Sequence, residues 1–442
     1  FLLILNQGLE KRIMMETRNR WAAMGLAIWA LAAAPLATRA QESEPAVPKF
    51  EIHEISGDIG VGRCVDLVDV NSDGKLDVVA MTSNKIVWFE NPSWKEHVVS
   101  NGIDGTFIHM APDDLDGDGV PELAVAADWN INDTTSGGSL YMLRKGDSPE
   151  KEWEHVKIIE EPTLHRLLWA DMDGDDKNEL IAAPLKGKGS TPPFFRNPSL
   201  RLIRLLPPEN PFKDEWEMEV IDERYLQIAH GLAKVDWEFD GKDSVLVAAL
   251  SGINQFDYLG KKGIWNWSLV APGNPQAFPA CGAGEIAIGQ FDERNPMMGT
   301  IEPWHGHQAV IYTLNRQKED GTERLKLWDR HVIDDTLKGG HAVGWGDFDQ
   351  DGEDELIAGF RENIPPDNKP GLNVYDLHFT YESGQVDPKV TSKKISLDTD
   401  MATESIAIGD VNGDGLPDVV AIGRSTENLR YYENKGVTKK SE

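Results

Sequence analysis

Cysteine is nearly missing from this 442-residue chain, which has two, Cys64 and Cys281. They fall in distant copies of a repeat, so a disulfide between them is not expected, and stability must come from packing and bound ions. Helical periodicity is missing too, and only one apolar run, Trp21 to Ala37, approaches the length of a membrane span. Positive charge is scarce: 44 Lys and Arg stand against 74 Asp and Glu, for a net charge of −30. That balance disfavours nucleic acid and anionic membrane surfaces as partners. No GxSxG elbow, P-loop or dinucleotide fingerprint occurs, which disfavours nucleophilic hydrolysis and nucleotide chemistry.

The N-terminal run reads as a leader. Residues ahead of Met14 or Met15 read as untranslated. Arg18 and Arg20, the apolar run and Thr38-Arg39-Ala40 together read as a secretory signal cut near Ala40. The expected organisation is therefore residues 1–40 as leader and 41–442 as one domain, periplasmic or extracellular, with no membrane span once the signal is removed.

What the chain has in quantity is a repeat. The stretch HAVGWGDFDQDGEDE, His341 to Glu355, recurs in recognisable form seven times, at spacings of about 45 to 65 residues, the range of four-stranded propeller blades. Its loop puts acids at positions 1, 3, 5 and 9 with Gly352 at position 6 for a tight turn. Hard oxygen ligands so spaced suit Ca²⁺. The complete copies are Asp69, Asn71, Asp73, Asp77; Asp114, Asp116, Asp118, Glu122; Asp171, Asp173, Asp175, Glu179; Asp347, Asp349, Asp351, Glu355; and Asp410, Asn412, Asp414, Asp418. The fourth copy is weakened to Asp236, Glu238, Asp240 and Ser244. The fifth, with Gln290, Asp292, Arg294 and Asn295, is expected to hold no ion. An EF-hand would continue into a helix, whereas Leu356, Ile357 and Ala358 read as a strand.

An apolar run precedes each loop, another follows it, and two further strand patterns complete each unit. The fold expected is an all-β, seven-bladed β-propeller. The segment PKFEIHEIS matches the fourth-strand pattern, while the last copy stops after its third strand, so the N-terminal strand is expected to close the C-terminal blade.

First strands line a propeller's channel, and their starts ring the mouth on the face away from the acid loops. Six residues before the loop stand Arg63, His165, His230, His341 and Glu404, with His109 one place later in copy two. Copy five has Gly284 there, but its second strand ends in Trp304, His305, Gly306 and His307. Ionisable groups converging on a cavity rarely serve packing. Repeat filler is the competing reading, and it is the one adopted for His97, His155 and His331, which share a slot in the outer strands; a solvated polar channel is another. Several imidazoles facing one axis can hold a Zn²⁺ or another divalent ion, and those left over can act as general acid and base. Further mouth-side candidates are Asp128, Trp129, Arg166, Lys186, Tyr225, Trp304, Arg361 and Glu362, an aromatic and acid-rich rim that fits a carbohydrate.

The segments DVNSDGKLDVV and DVNGDGLPDVV resemble the calcium-loop repeats called FG-GAP or VCBS, over essentially residues 47–436. The stretches HGLAKVDWEFDG, EPWHGHQAVIYT and GGHAVGWGDFDQDGEDELIAGF resemble the propeller domain of aldos-2-ulose dehydratases. That resemblance implies a carbon–oxygen lyase acting on a keto-sugar, with a metal polarising the ketone and a histidine or Tyr225 removing the proton. Two other readings stay open: a polysaccharide lyase working by related β-elimination, and a non-catalytic calcium-binding module for adhesion or ligand binding.

Overall fold

A computed structural model describes residues 47–437, apart from 293–294, 316–317, 320–321, 324–326, 364–368 and 381–387. The leader-like run and the side chains of Asp292, Arg294 and Asn295 in the fifth loop lie outside the described residues. The described residues contain no helix; their main elements are seven four-stranded antiparallel sheets. The innermost strands run Gly62–Val68, His109–Asp113, Leu164–Ala170, Ala229–Val235, Glu285–Asp292, Gly340–Gly346 and Thr403–Gly409. Each packs on the next, and the seventh packs on the first, which closes a seven-bladed β-propeller. The closure is the one expected: Pro48–Ser56 is the outer strand of blade seven, with Ile52 opposite Tyr432 of Leu429–Val437. Cys64 and Cys281 are both free.

Second strands such as Asp77–Thr82, Glu122–Ala127 and Asp418–Gly423 are buried along their whole length. They sit between neighbouring strands and between neighbouring blades, so their sequences are continuous apolar runs and not alternating ones. Seven clusters of these residues with Trp, Tyr and Phe of the third and fourth strands make the core, mostly in the seams between blades.

The acid loops explain their own spacing. The acid at position 1 accepts the N–H of position 6, as in Asp69 with Gly74 at 2.8 Å and Asp347 with Gly352 at 3.2 Å. Position 6 is left-handed there, with φ of 84° at Gly74 and 93° at Gly352, which is why glycine stands there. The acid at position 9 reaches back to the N–H of position 2 in all five complete loops, from Val70–Asp77 to Val411–Asp418, at 2.7–3.0 Å. Three carboxylates come within 4.8 Å of one another in loops two, three and six, so these could hold a metal ion.

Loop three differs from its copies in a way the spacing conceals. Arg204, 1% exposed, puts Nη2 2.6 Å from both Asp173 and Glu179, with Nη1 3.5 Å from Glu219. An internal guanidinium thus already neutralises part of this site. Removing one partner of a buried pair leaves the other charges uncompensated, on the order of 3–5 kcal/mol. Arg204→Met should therefore destabilise the protein strongly in chelator and recover partly in calcium, read by thermal melting. An equal loss with and without calcium would show that the guanidinium does not stand in for a cation.

Candidate active site at the channel mouth

The register explains why the slot six residues before each loop faces the channel. In blades one, three, four, six and seven the pairing of first and second strands skips one residue at that slot. The residues skipped are Arg63, His165, His230, His341 and Glu404. A bulge of this kind releases a side chain from the ladder and re-aims it. Blade two has no such shift, and His109 pairs directly with Ala126. The expectation that His109 joins the ring at the mouth is thus corrected: Ile108 takes the slot, and His109 lies deeper in the channel, its Nδ1 3.4 Å from the Leu167 backbone N.

Blade five supplies its residue by another route. A Cβ on Gly284 would meet Trp304 Cα at 2.9 Å and His305 N at 3.2 Å. The turn after Glu302 occupies that space and lowers His305 into the ring, with His305 itself held at φ 49°. A non-glycine residue in this region marks a place where the surroundings over-determine the backbone.

The result is a cavity of about 60 Å³ lined by Arg63, His165, His230, His305, His341, Arg361 and Glu404, with Trp129 and Trp304 alongside. His230, His305 and His341 present nitrogens within 4.8 Å of one another. His305 Nε2 and His230 Nε2 are 3.0 Å apart, so one proton lies between them. His341 Nδ1 donates to the Glu404 carbonyl at 2.5 Å, which leaves its Nε2 lone pair directed inward. His230 Nδ1 lies 2.6 Å from Glu285 Oε1, without the alignment of a hydrogen bond. His165 packs 4.6 Å from His230, ring to ring, and its Nδ1 has no partner. Burial first, and charge from neighbours second, pushes all four imidazoles well below their ordinary pKa. They are neutral at neutral pH, able to accept a proton or ligate a metal.

Three imidazole nitrogens with carbonyl or carboxylate behind two of them fit a divalent ion of borderline softness such as Zn²⁺. His305 is the exception. Arg361 Nη2 stands 3.2 Å from its Nδ1, the atom that must carry a proton when Nε2 ligates a metal. Coordination through His305 would turn that contact from attractive to repulsive.

Several expected site residues stand elsewhere. Tyr225 is stacked on Trp267 at 3.9 Å, outside the cavity, so it is not beside the histidines. His307, Asp128 and Glu362 are exposed and do not line the cavity. Lys186 is buried, but its Nζ donates to the Ile131 carbonyl at 2.7 Å and covers the Phe195 ring at 3.7 Å, which braces a loop. The outer histidines behave as the repeat filler they were read as: His97 stacks on Trp88 and His331 bonds Thr313 in fourth strands, with His155 exposed on the fourth strand of blade two. Two charged residues were missed. Arg424 occupies in blade seven the position that Arg361 holds in blade six relative to its loop, a correspondence visible in FREN and GRST. Glu285 follows Gly284 and pairs with Arg166 at 2.6 Å.

A family profile described as the aldos-2-ulose dehydratase β-propeller domain matches residues 137–315, and FG-GAP profiles match residues 69–125 and 402–437. The chain is a seven-bladed propeller that is similar over these stretches to FG-GAP repeats and to the aldos-2-ulose dehydratase propeller domain. The dehydratase-like stretch contains His165, His230, Trp304 and His305, while His341, Arg361 and Glu404 lie beyond it. No curated protein matches the sequence. Among solved structures, a chain from the crystal structure of the mitotic checkpoint complex is 11% identical with a TM-score of 0.49, covering 93% of this chain and 98% of its own. BBS1N, crystallised in complex with ARL6DN, is 13% identical with a TM-score of 0.49, covering 90% of this chain and 98% of its own. These likenesses carry nothing about activity.

Proposed function

We propose that the channel mouth is the active site of a carbon–oxygen lyase that performs β-elimination on a carbohydrate. The observation that carries the reading is the convergence of four neutral imidazoles from four blades, three buried and His305 half-buried, on one small cavity. Structural histidines find partners, whereas His165 Nδ1 is buried without one. His165 is the proposed base: neutral, unpartnered, and able to take a proton from the carbon next to the sugar's carbonyl group. The C–H pair then forms the double bond as the neighbouring C–O bond breaks. Trp129 and Trp304 at the rim supply faces for the sugar ring. A divalent metal on His230, His305 and His341 would polarise the carbonyl oxygen and stabilise the enolate.

The Arg361–His305 contact favours a second reading of the same site, in which the three histidines hold protons in place of a metal. Metal analysis of protein purified without chelator separates the two: about one tightly held transition metal per chain supports the first, none the second. The elimination itself is tested by incubation with keto-sugars and acidic polysaccharides while following absorbance of a conjugated double bond. No absorbance with any substrate or metal leaves the binding-module reading. The proposal includes Ca²⁺ in the acid loops, and an exported protein on the strength of the leader-like run Trp21 to Ala37. Among the described residues no helix is long and apolar enough to cross a membrane.

A further inference from the structure

Guanidinium groups outnumber carboxylates around the cavity. Arg63, Arg166, Arg361 and Arg424 line it, with Glu404 among them and Glu285 just beneath. Arg166 pairs with Glu285 at 2.6 Å. Glu404 accepts from Arg361 through one oxygen and from Arg424 at 2.9 Å through the other. Two carboxylates thus serve three guanidinium groups, and Arg63 is left over. Its Nε and Nη1 are buried without a hydrogen-bond partner, and it faces the Trp129 ring at 6.0 Å. The indole N–H groups of Trp129 and Trp304 are also buried without acceptors. Guanidinium and indole nitrogens only donate. Buried donors left unmade are unfavourable unless a ligand or water supplies acceptors. These donors are left without acceptors, and guanidinium outnumbers carboxylate around the cavity, in a chain whose net charge is −30.

We infer that the mouth contains an anion subsite centred on Arg63, with the Trp129 and Trp304 N–H groups beside it, and that the sugar taken there bears a carboxylate. This rests on the proposal that the site takes a carbohydrate. A carboxylate is the anion the elimination can use. When the proton leaves the carbon attached to it, the C–H electron pair is shared into the carboxylate, which gains negative charge. The pair then forms the C=C bond as the β C–O bond breaks, and the departing oxygen leaves with the C–O pair and takes up a proton. Guanidinium donors fixed around that group stabilise the charge as it develops. A cavity of about 60 Å³ has room for such a planar group while the sugar ring stays at the rim.

The test reads binding, so it does not depend on turnover. Intrinsic tryptophan fluorescence and calorimetry are followed on the full chain with acetate, galacturonate, galactose, galactose 6-sulfate and galactose 6-phosphate, at low and high salt. Galacturonate is expected to bind at least tenfold more tightly than galactose, with a preference that shrinks in salt. Arg63→Gln should remove the preference and Arg63→Lys should keep part of it, while Arg144→Gln, on an exposed pair with Glu154, should change nothing. Equal binding of galactose and galacturonate by the wild-type chain overturns the inference, as does an Arg63→Gln variant with the preference intact. Tighter binding of the sulfate or phosphate ester overturns the carboxylate assignment. If acetate binds in an Arg63-dependent way and no sugar does, the anion subsite stands and the carbohydrate reading fails. If no anion binds, the subsite is wrong whatever the fate of the lyase proposal.

Discussion

His230→Gln and His341→Gln should each lower turnover by about 10²-fold or more, the scale of an acid–base or ligating group, while His155→Ala leaves it intact. The difference follows from position alone, since all three residues belong to the same repeat family. His230 and His341 are released from the strand ladder by bulges and face other imidazoles at ring distances of 4.6–5.1 Å. His155 stands exposed on a fourth strand with the edge of Tyr141 5.9 Å away. Glutamine is the better probe than alanine because His230 and His341 are 2% and 5% exposed, and truncation would open a cavity as well as delete the chemistry. The melting temperature of each variant separates the two effects. If the metal reading is right, both variants also lose the transition metal. If the proton-holding reading is right, turnover falls with metal content unchanged. Turnover equal to wild type in both inner variants would return the ring to repeat filler.

The fold was legible because the repeat carries its own strand boundaries: the acid loop fixes where strand one ends and strand two begins, and the blade count follows. The closure was legible from one mismatch, a fourth-strand pattern at the start and a missing fourth strand at the end. Part of the site was legible for the same reason, since counting back from the loop finds Arg63, His165, His230, His341 and Glu404. His109 shows where counting fails. The slot faces the channel because of a bulge, blade two has none, and a one-residue change in register moves a side chain out of place. Tyr225 shows a second limit, because a loop residue has no register to count from and Trp267 claims its ring. Arg204 shows a third: it lies on the third strand of its blade, and nothing in the spacing of Asp171 to Glu179 reveals that a guanidinium fills their midst.

The protein stripped of divalent ions should melt well below the calcium-loaded form, and the gap should widen as pH rises. Each loop saturated at about a hundred times its Kd adds on the order of 2.7 kcal/mol, and several loops act together. The pH dependence comes from the closing acids. Glu355 is pushed up to about 9 by burial first and by Asp349 and Asp351 next, and Glu122 to about 7 by burial and its loop acids. Without a cation, the folded protein keeps protons on these groups that the unfolded chain releases near the ordinary glutamate value of 4.5. The stability they contribute is therefore fully present below about pH 4.5 and is lost as pH climbs towards about 7 at Glu122 and about 9 at Glu355. A bound Ca²⁺ reverses the preference, since it takes the ionised carboxylate as ligand. Melting curves from pH 5 to 8.5, with and without added CaCl₂ after passage over chelating resin, should diverge with rising pH. Asp349→Asn should narrow the divergence, because it removes one ligand and one of the charges that raise Glu355. Curves that stay parallel across this range, or coincide throughout, would remove calcium from the loops and leave the acids as hydrogen-bonded braces for their turns.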